Sequence, residues 1–378
     1  MSKGEASAPS GPVEIRVVRK GELRAPDFHA GFDDPERVVA FRPGHLDTLV
    51  GNPHSDNDDD PAQILAIQSN TVLGRIDLYK SRATLAGERL NILWGSCWTV
   101  PERFRSTMAG LKVFMKWMSL IPPTGAAAVV GVSQVALPIY LKLGWTAVPM
   151  PRRILLRRSR AVVDRYIGFA PARPIARVAL DVGLGASAWL ASRGRPASDL
   201  TISVESTPPD DLAELFTHRA AFDGVVTEQS PERMRWLLEG GFGVEPRAER
   251  SLIVARSRDG RPAAYALTRV RLFETATHRQ FKNVRIGGVL ASWGVDPETH
   301  AEIYKEGVRR VLAAGTDAVD LSSHDASLTD RYRALGAVGA GELAFLFKPG
   351  RESPLADERF KAASSWRVSP SDGDNFFP

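Results

Sequence analysis

The chain carries one cysteine, Cys97, among 378 residues. A single thiol excludes an intramolecular disulfide framework and a cysteine-based zinc cluster. It fits a reducing compartment, and within an apolar strand pattern it reads as a small buried hydrophobe. No stretch reaches the roughly 18–20 apolar residues that a membrane-crossing helix needs. The opening MSKGEASAPSGP holds no apolar segment, so no secretory signal is expected and the reading is cytoplasmic. The acidic run Asp56, Asp58, Asp59 and Asp60 beside His54 lacks the glycine and distal glutamate of a calcium loop. It reads as a solvated loop, and no metal site is expected. Charge is not strongly one-sided, with a net of +5. The basic residues are not interleaved with aromatics as on a single-strand nucleic-acid platform, so no nucleic-acid partner is expected. A hydrophobic content of 43% with 25% charged residues is that of an ordinary globular protein, and the length favours two domains.

The stretch Leu90–Trp145 organises the rest. Ile92, Trp94, Cys97, Trp98 and Val100 suit a partly buried strand, and Pro101 stops it because proline cannot donate to a ladder. The segment Arg105–Gly110 then opens a helix. Its apolar residues Leu111, Phe114, Met115 and Met118 recur at helical spacing, and Pro122, Pro123 and Gly125 end it. The continuous apolar run Ala126–Val132 reads as a buried strand. Tyr140 falls on a short helix that Gly144 caps. A helix N-terminus presents free N–H groups and a partial positive charge, which suits a phosphate. Arg103 and Arg105 just before it add pairing charge, and Ser106, Thr107, Ala109 and Gly110 let a ligand approach the backbone.

With this order of parts, the stretch resembles the Gcn5-related N-acetyltransferase (GNAT) superfamily. Val100, Pro101, Phe104 and Arg105, followed by Ser106, Thr107, Met108, Ala109 and Gly110, stand where that family has Val-x-Pro, an aromatic, Arg and a glycine-rich turn. Tyr140, Leu141, Lys142, Leu143, Gly144 and Trp145 match its later Tyr-x-x-x-Gly-aromatic motif. Met108 and Ser106 replace glycines of the pattern, so Met108 should either crowd a pyrophosphate or occupy a backbone that glycine adopts at less cost. The resemblance covers residues 13–157. It implies a mixed, mostly antiparallel sheet flanked by helices, and direct transfer of an acyl group from acetyl-coenzyme A or another acyl-coenzyme A to an amine. Trp98, Thr99, Val100, Arg103, Arg105, Ser106, Thr107, Met108, Ala109 and Gly110 would hold the cofactor. A strand amide near Trp98–Val100 would polarise the thioester carbonyl, and Tyr140 would protonate the departing thiolate. Asp47, His45 and Asp77 qualify as the base by residue type alone.

The second half repeats the first in outline. Leu200–Val204 opens as Val13–Val18 does. The strand pair Ser251–Arg256 and Ala263–Val270 across Asp259-Gly260 parallels the hairpin Ile64–Ile67 and Val72–Tyr79. Strand Val284–Trp293, helix Glu298–Ala313 and strand Ala318–Leu321 follow. Tyr332, Arg333, Ala334, Leu335 and Gly336 then repeat the Tyr-x-x-Leu-Gly pattern of Tyr140–Gly144. The expected organisation is a disordered 1–12, a GNAT domain over 13–157, a linker with an apolar helix over 158–198, a degenerate GNAT-like domain over 199–350 and a polar tail over 351–378. The second domain's turn, WGVDPETHAE, has no arginine and carries Asp296, Glu298 and Glu302. Like charge there opposes phosphate, which assigns the cofactor to the first domain.

For the acceptor, the large two-domain form suits an amino sugar or envelope precursor, with other small amines open. The arginines 152, 153, 157, 158, 160 and 165 read as solvated strand ends or as a patch facing anionic lipid. The apolar helix Ile175–Ser192 reads as a connector packed between domains, or as a helix lying on a membrane or at a dimer contact. Two further classes compete: a non-catalytic scaffold or acyl-coenzyme A sensor, and an aminoacyl transferase related to the peptidoglycan-bridge enzymes.

Overall fold

The computed structural model describes residues 11–25, 28–34, 36–39, 45–159, 173–193, 199–239, 248–273 and 283–372. Residues 1–10 of the expected disordered segment 1–12, linker residues 160–172 and 194–198 with Arg160 and Arg165, and the tail's Phe376 and Phe377 lie outside them. The first half contributes strands β1 (Glu14–Arg19), β2 (Pro61–Gln68), β3 (Thr71–Leu85), β4 (Glu88–Thr99), β5 (Ala126–Val130) and β6 (Thr146–Leu156). Among its helices are α1 (Lys20–Leu23), α2 (His45–Val50), α3 (Ala109–Met118) and α4 (Leu137–Lys142). Helix α5 (Arg173–Ser192) connects to the second half. That half comprises β7 (Thr201–Glu205), α6 (Leu212–Ala220), β8 (Val225–Thr227), α7 (Pro231–Glu239), β9 (Ala248–Arg256), β10 (Pro262–Phe273), β11 (Val284–Gly294), α8 (Pro297–Ala313), β12 (Ala318–Ser322), α9 (Ala326–Asp330) and β13 (Val338–Pro349). A short β14 (Trp366–Arg367) follows.

The halves share one sheet. Its main path runs β1-β2-β3-β4-β5-β13-β6-β12-β11-β10-β9-β7. Strand β13, from the second half, lies between β5 and β6 of the first and is antiparallel to both. In return, β6 pairs with β12. Each half thus gives its sixth large strand to the other, and the edge that each β5-type strand would leave open is filled. The sequence repeat predicts the equivalent elements but not this exchange, since β13 carried no strand expectation. Exchange also explains the arginines. Arg152 bonds Asp320 at 2.5 Å, Arg158 lies 3.5 Å from Asp317, and Arg153 pairs with Asp330. The described part of the cluster therefore forms a seam between the halves.

Three apolar cores line the sheet. One lies under α3, around Val113, Phe114 and Trp117. Of the four residues at helical spacing, Phe114 is buried and Met118 packs against this core, whereas Leu111 and Met115 are exposed; Ala109, Val113 and Trp117 complete the inward face. A second core lies under α8. Helix α5 joins this core through Ala188 and Ala191 and leaves Ile175, Val178, Val182 and Trp189 outward. The third and largest core lies on the opposite face and takes in the tail. Trp366 is fully buried, with Phe345 and Phe347 centroids at 4.8 and 4.7 Å, and its indole donates to Phe360 O at 2.7 Å. Asp372 forms a wholly buried salt bridge of 2.8 Å with Arg233, and its carbonyl accepts from Tyr79. Residues 351–372 are thus a strap across the shared sheet rather than a free polar tail.

Trp366→Ala should therefore cost about 3–5 kcal/mol, the usual penalty for emptying a buried aromatic site. Urea unfolding measures it, and a loss under 1 kcal/mol would contradict the strap. Acid should also act early. Burial pushes His54 down to about 2, His300 to about 4 and His324 to about 3. For His54 the arginines 233 and 82 add to that effect. Each folded value lies below the unfolded one near 6.5, so below pH 6.5 the unfolded chain binds more protons and stability falls with pH. The slope should approach about 1.4 kcal/mol per pH unit for each histidine. A stability profile flat from pH 6.5 to 4.5 would contradict it.

Candidate functional site

The parallel pair β4/β5 is hydrogen-bonded only through Ile92–Ala126, Leu93–Ala127 and Trp94–Ala128. Strand β4 continues to Thr99 and β5 to Val130, so the two splay into a wedge beyond Trp94. A bulge sharpens the opening. Thr99 pairs with Arg75 and Ser96 with Asp77, so β4 carries one more residue than β3 over this interval. Cys97 takes φ +48° there, a left-handed conformation uncommon for a non-glycine residue. Such a bulge re-aims side chains and withdraws a residue from the ladder. Thr99 Oγ1 spans it by donating to Cys97 O at 3.0 Å.

A short 3-10 turn over Glu102–Thr107 leads to α3, whose N-cap is Met108 at φ +59°. Met108 therefore occupies the backbone that glycine adopts at less cost, and its side chain points outward, 56% exposed. No side chain caps α3, so its first N–H groups keep their donor capacity. Arg103 and Arg105 flank this end and are exposed. Arg103 lies 3.3 Å from Glu36, and among the described residues Arg105 has no salt bridge. Phe104 is buried, Ser106 exposed, and the Thr107 hydroxyl donates to Phe104 O at 2.7 Å. Gly110 brings α3 onto the strand: a β-carbon there would come 3.1 Å from the Val100 side chain and 3.5 Å from the Trp98 indole nitrogen. The ten residues anticipated as a cofactor cradle, Trp98, Thr99, Val100, Arg103 and Arg105–Gly110, thus gather on the bulged end of β4 and the start of α3.

Tyr140 sits deeper. It is 2% exposed, within an aromatic cluster of Phe114, Trp145, Trp98 and Trp117 at centroid distances of 4.8, 5.0, 6.0 and 6.2 Å. Among the described residues, the indole nitrogens of Trp98, Trp117 and Trp145 have no hydrogen-bond partner. Behind the wedge, on the sheet face away from α3, lies a network whose members the sequence offered only singly. His45 Nε2 is 2.9 Å from Asp77 Oδ2, Gln63 donates to Asp77 Oδ1 at 2.8 Å, and Arg75 lies 3.5 Å from Asp77. Burial alone would raise the Asp77 pKa, but Arg75 and His45 outweigh it and hold the carboxyl below its usual range. His45 and Asp77 come together, whereas Asp47 is exposed and lies beside Trp236 and Arg235.

The second half builds the same wedge differently. Strands β11 and β12 pair only from Ile286–Ala318 to Gly288–Asp320 and then diverge. Here the helix N-terminus is taken: Asp296 caps α8, accepting from Thr299 N at 2.7 Å. The two Tyr-x-x-Leu-Gly motifs end alike, with Gly144 at φ +75° and Gly336 at φ +83°.

This paired architecture is found in solved structures. A GCN5-related N-acetyltransferase from Anabaena variabilis matches with a TM-score of 0.53 at 10% identity, covering 89% of this chain and 72% of that one. The N-myristoyltransferase of Saccharomyces cerevisiae, solved with bound myristoyl-CoA and inhibitors, matches with a TM-score of 0.57 at 12% identity, over 92% and 83% of the chains. A probable N-acyltransferase from Enterococcus faecalis matches with a TM-score of 0.51 at 9% identity, over 90% and 74%. The chain has the GNAT fold. No family model matches the sequence, and no curated protein matches it. At these identities the likeness is one of fold, and it agrees with the mixed sheet and tandem GNAT-like halves that the sequence implied.

Met108→Gly isolates the backbone cost at the turn. Left-handed geometry costs a non-glycine residue roughly 1 kcal/mol, and glycine's greater unfolded-state entropy offsets about as much. The variant should match the wild type in stability to within about 1 kcal/mol in urea. A loss of more than 2 kcal/mol would mean that the Met108 side chain itself holds the turn.

Proposed function

We propose that the protein is an acyl-coenzyme A-dependent N-acyltransferase whose cofactor lies in the wedge between β4 and β5. One observation carries this reading: α3 presents an uncapped N-terminus beside the wedge, with Arg103 and Arg105 exposed at its mouth, whereas Asp296 fills the equivalent position on α8. A pyrophosphate is favoured by free amides and a helix dipole and repelled by a carboxylate at about the same place. The first half therefore binds, and the second does not offer the same phosphate site.

The bound thioester would extend along the bulged end of β4, where a strand amide near Trp98–Val100 polarises its carbonyl as charge develops on oxygen. The acceptor amine, once neutral, attacks the carbonyl carbon. The C–N bond forms, the C–S bond breaks, and coenzyme A leaves as the thiolate. Tyr140 supplies the proton to sulfur, and the amine's proton goes to solvent or a base. A free phenol near pKa 10 and a thiol near 8.5 make that transfer uphill by about 2 kcal/mol, which a positioned hydrogen bond offsets. The apolar ring shell around Tyr140 excludes bulk water from the leaving group. The acceptor is a small-molecule or envelope-precursor amine, and acetyl is the acyl group to test first.

Titration calorimetry of acetyl-coenzyme A against wild type, Arg105→Ala and Tyr140→Phe tests the reading. Arg105→Ala should weaken binding about tenfold, roughly one charge-assisted phosphate contact. Tyr140→Phe should keep affinity within about threefold and lower turnover on an amine panel by 10²-fold or more. Wild-type binding that Arg105→Ala leaves unchanged would move the cofactor elsewhere. Absence of any acyl-coenzyme A binding would leave a GNAT-fold scaffold.

A further inference from the structure

The second wedge is not closed where it diverges. Between β11, α8, the chain after β12 and the strap lies a narrow cleft with about 30 Å³ of room, space for a compact group only. Its lining concentrates polar atoms that have no partner. Among the described residues, both nitrogens of His324, the indole nitrogen of Trp293, the Tyr304 hydroxyl and Nε of Arg219 have no hydrogen-bond partner, and all four side chains line the cleft. Tyr304 is 2% exposed, Arg219 2%, His324 7% and Trp293 9%. A buried polar group without a partner costs about 1–3 kcal/mol, and several around one cleft are uncommon in native proteins.

Of these five atoms four can donate, and the second His324 nitrogen is an acceptor. An indole N–H and a guanidinium Nε–H only donate. Burial pushes the Tyr304 phenol well above its ordinary range, so it keeps its proton and donates. Imidazole adds a further N–H. Arg219 and Arg367 both line the cleft, and neither forms a salt bridge among the described residues. Arg219 donates to Thr227 O and, at 3.3 Å, to Arg367 O, and Arg367 donates to Trp366 O at 3.0 Å. Asp325 also lines the cleft; its Oδ1 is committed as the cap of α9, accepting from Ser327 N at 3.0 Å and Ser327 Oγ at 2.6 Å. Donors line the cleft together with positive charge, and among the described residues no acceptor satisfies them.

We infer that this cleft binds a compact oxyanion, a carboxylate or a phosphate, held by His324, Trp293, Tyr304, Arg219 and Arg367. The site is separate from the acyl-transfer wedge. Strands β5 and β12 are separated by β13 and β6, three strand spacings or about 14 Å, and they run in opposite directions, so the two wedges open at opposite ends. The site also differs from a phosphate seat on a helix N-terminus, because Asp296 occupies that end of α8. The strap residues Arg367–Pro370 form one wall, so the ligand would tie the strap to the second half and stabilise the fold.

Isothermal titration of sodium acetate, inorganic phosphate and sodium sulfate, each against sodium chloride at matched ionic strength, tests it with wild type, Tyr304→Phe and His324→Leu. The unliganded variants should be at least as stable as wild type, because each removes a buried polar atom that has no partner. Each should weaken anion binding tenfold or more while leaving coenzyme A binding unchanged. Acetate binding alone would assign a carboxylate ligand, and phosphate with sulfate a phosphorylated one. General salting effects act equally on all three proteins and cancel in the comparison. No binding of any of the three anions, or equal binding to wild type and both variants, would overturn the proposal. So would a loss of unliganded stability in both variants, since the two groups would then have structural partners.

Discussion

The splay of a parallel strand pair is the constraint on which the rest of the structure depends. To admit a ligand between β4 and β5, the ladder must stop at Trp94–Ala128 while both strands run on. That leaves backbone donors and acceptors to be satisfied on one side and a sheet edge to be protected on the other. The chain meets both needs through strand exchange. Strand β13 takes the free side of β5, with Phe345 opposite Val130, and β6 is returned to β12. One twofold-like arrangement thus builds two wedges and forbids the halves from separating without exposing two edges.

The halves then diverge by small changes at the helix that follows each wedge. Met108 leaves the start of α3 without a side-chain cap, and Asp296 caps α8. A single carboxylate converts an anion-binding helix end into a closed one, because it accepts the same N–H group that a phosphate would use. The strap adds a second asymmetry. It passes over the face opposite α3, buries Trp366 between Phe345 and Phe347, and ends in the Arg233–Asp372 pair. Removing one partner of such a pair leaves an uncompensated buried charge, which ties the strap's position to that of α7.

The local parts of this account were legible in the sequence. Pro101, the small residues Ser106–Gly110 and the Tyr140–Trp145 motif mark a strand end, a turn and a capped helix, since each depends on neighbouring residues. The left-handed Met108 follows from the same reasoning, because the turn calls for glycine and the chain has none there. Long-range features were not legible. Nothing near Val338–Pro349 says that this strand leaves its own half. His45, Gln63, Arg75 and Asp77 become a network only when α2 and β2 pack on β3. The inward face of α3 was half legible: Phe114 and Met118 pack inward, but Val113 and Trp117 take the places expected of Leu111 and Met115. The strap read as polar because its burial rests on a few residues, Trp366 above all.

The central claim is that the free amides at the start of α3 hold the cofactor's pyrophosphate. Hydrogen–deuterium exchange with and without acetyl-coenzyme A reads those amides directly. The account expects slowed exchange over residues 98–112, strongest at Ala109–Leu111, and no change over residues 289–300. Protection confined to residues 289–300, or none over 98–112 at saturating ligand, would contradict it.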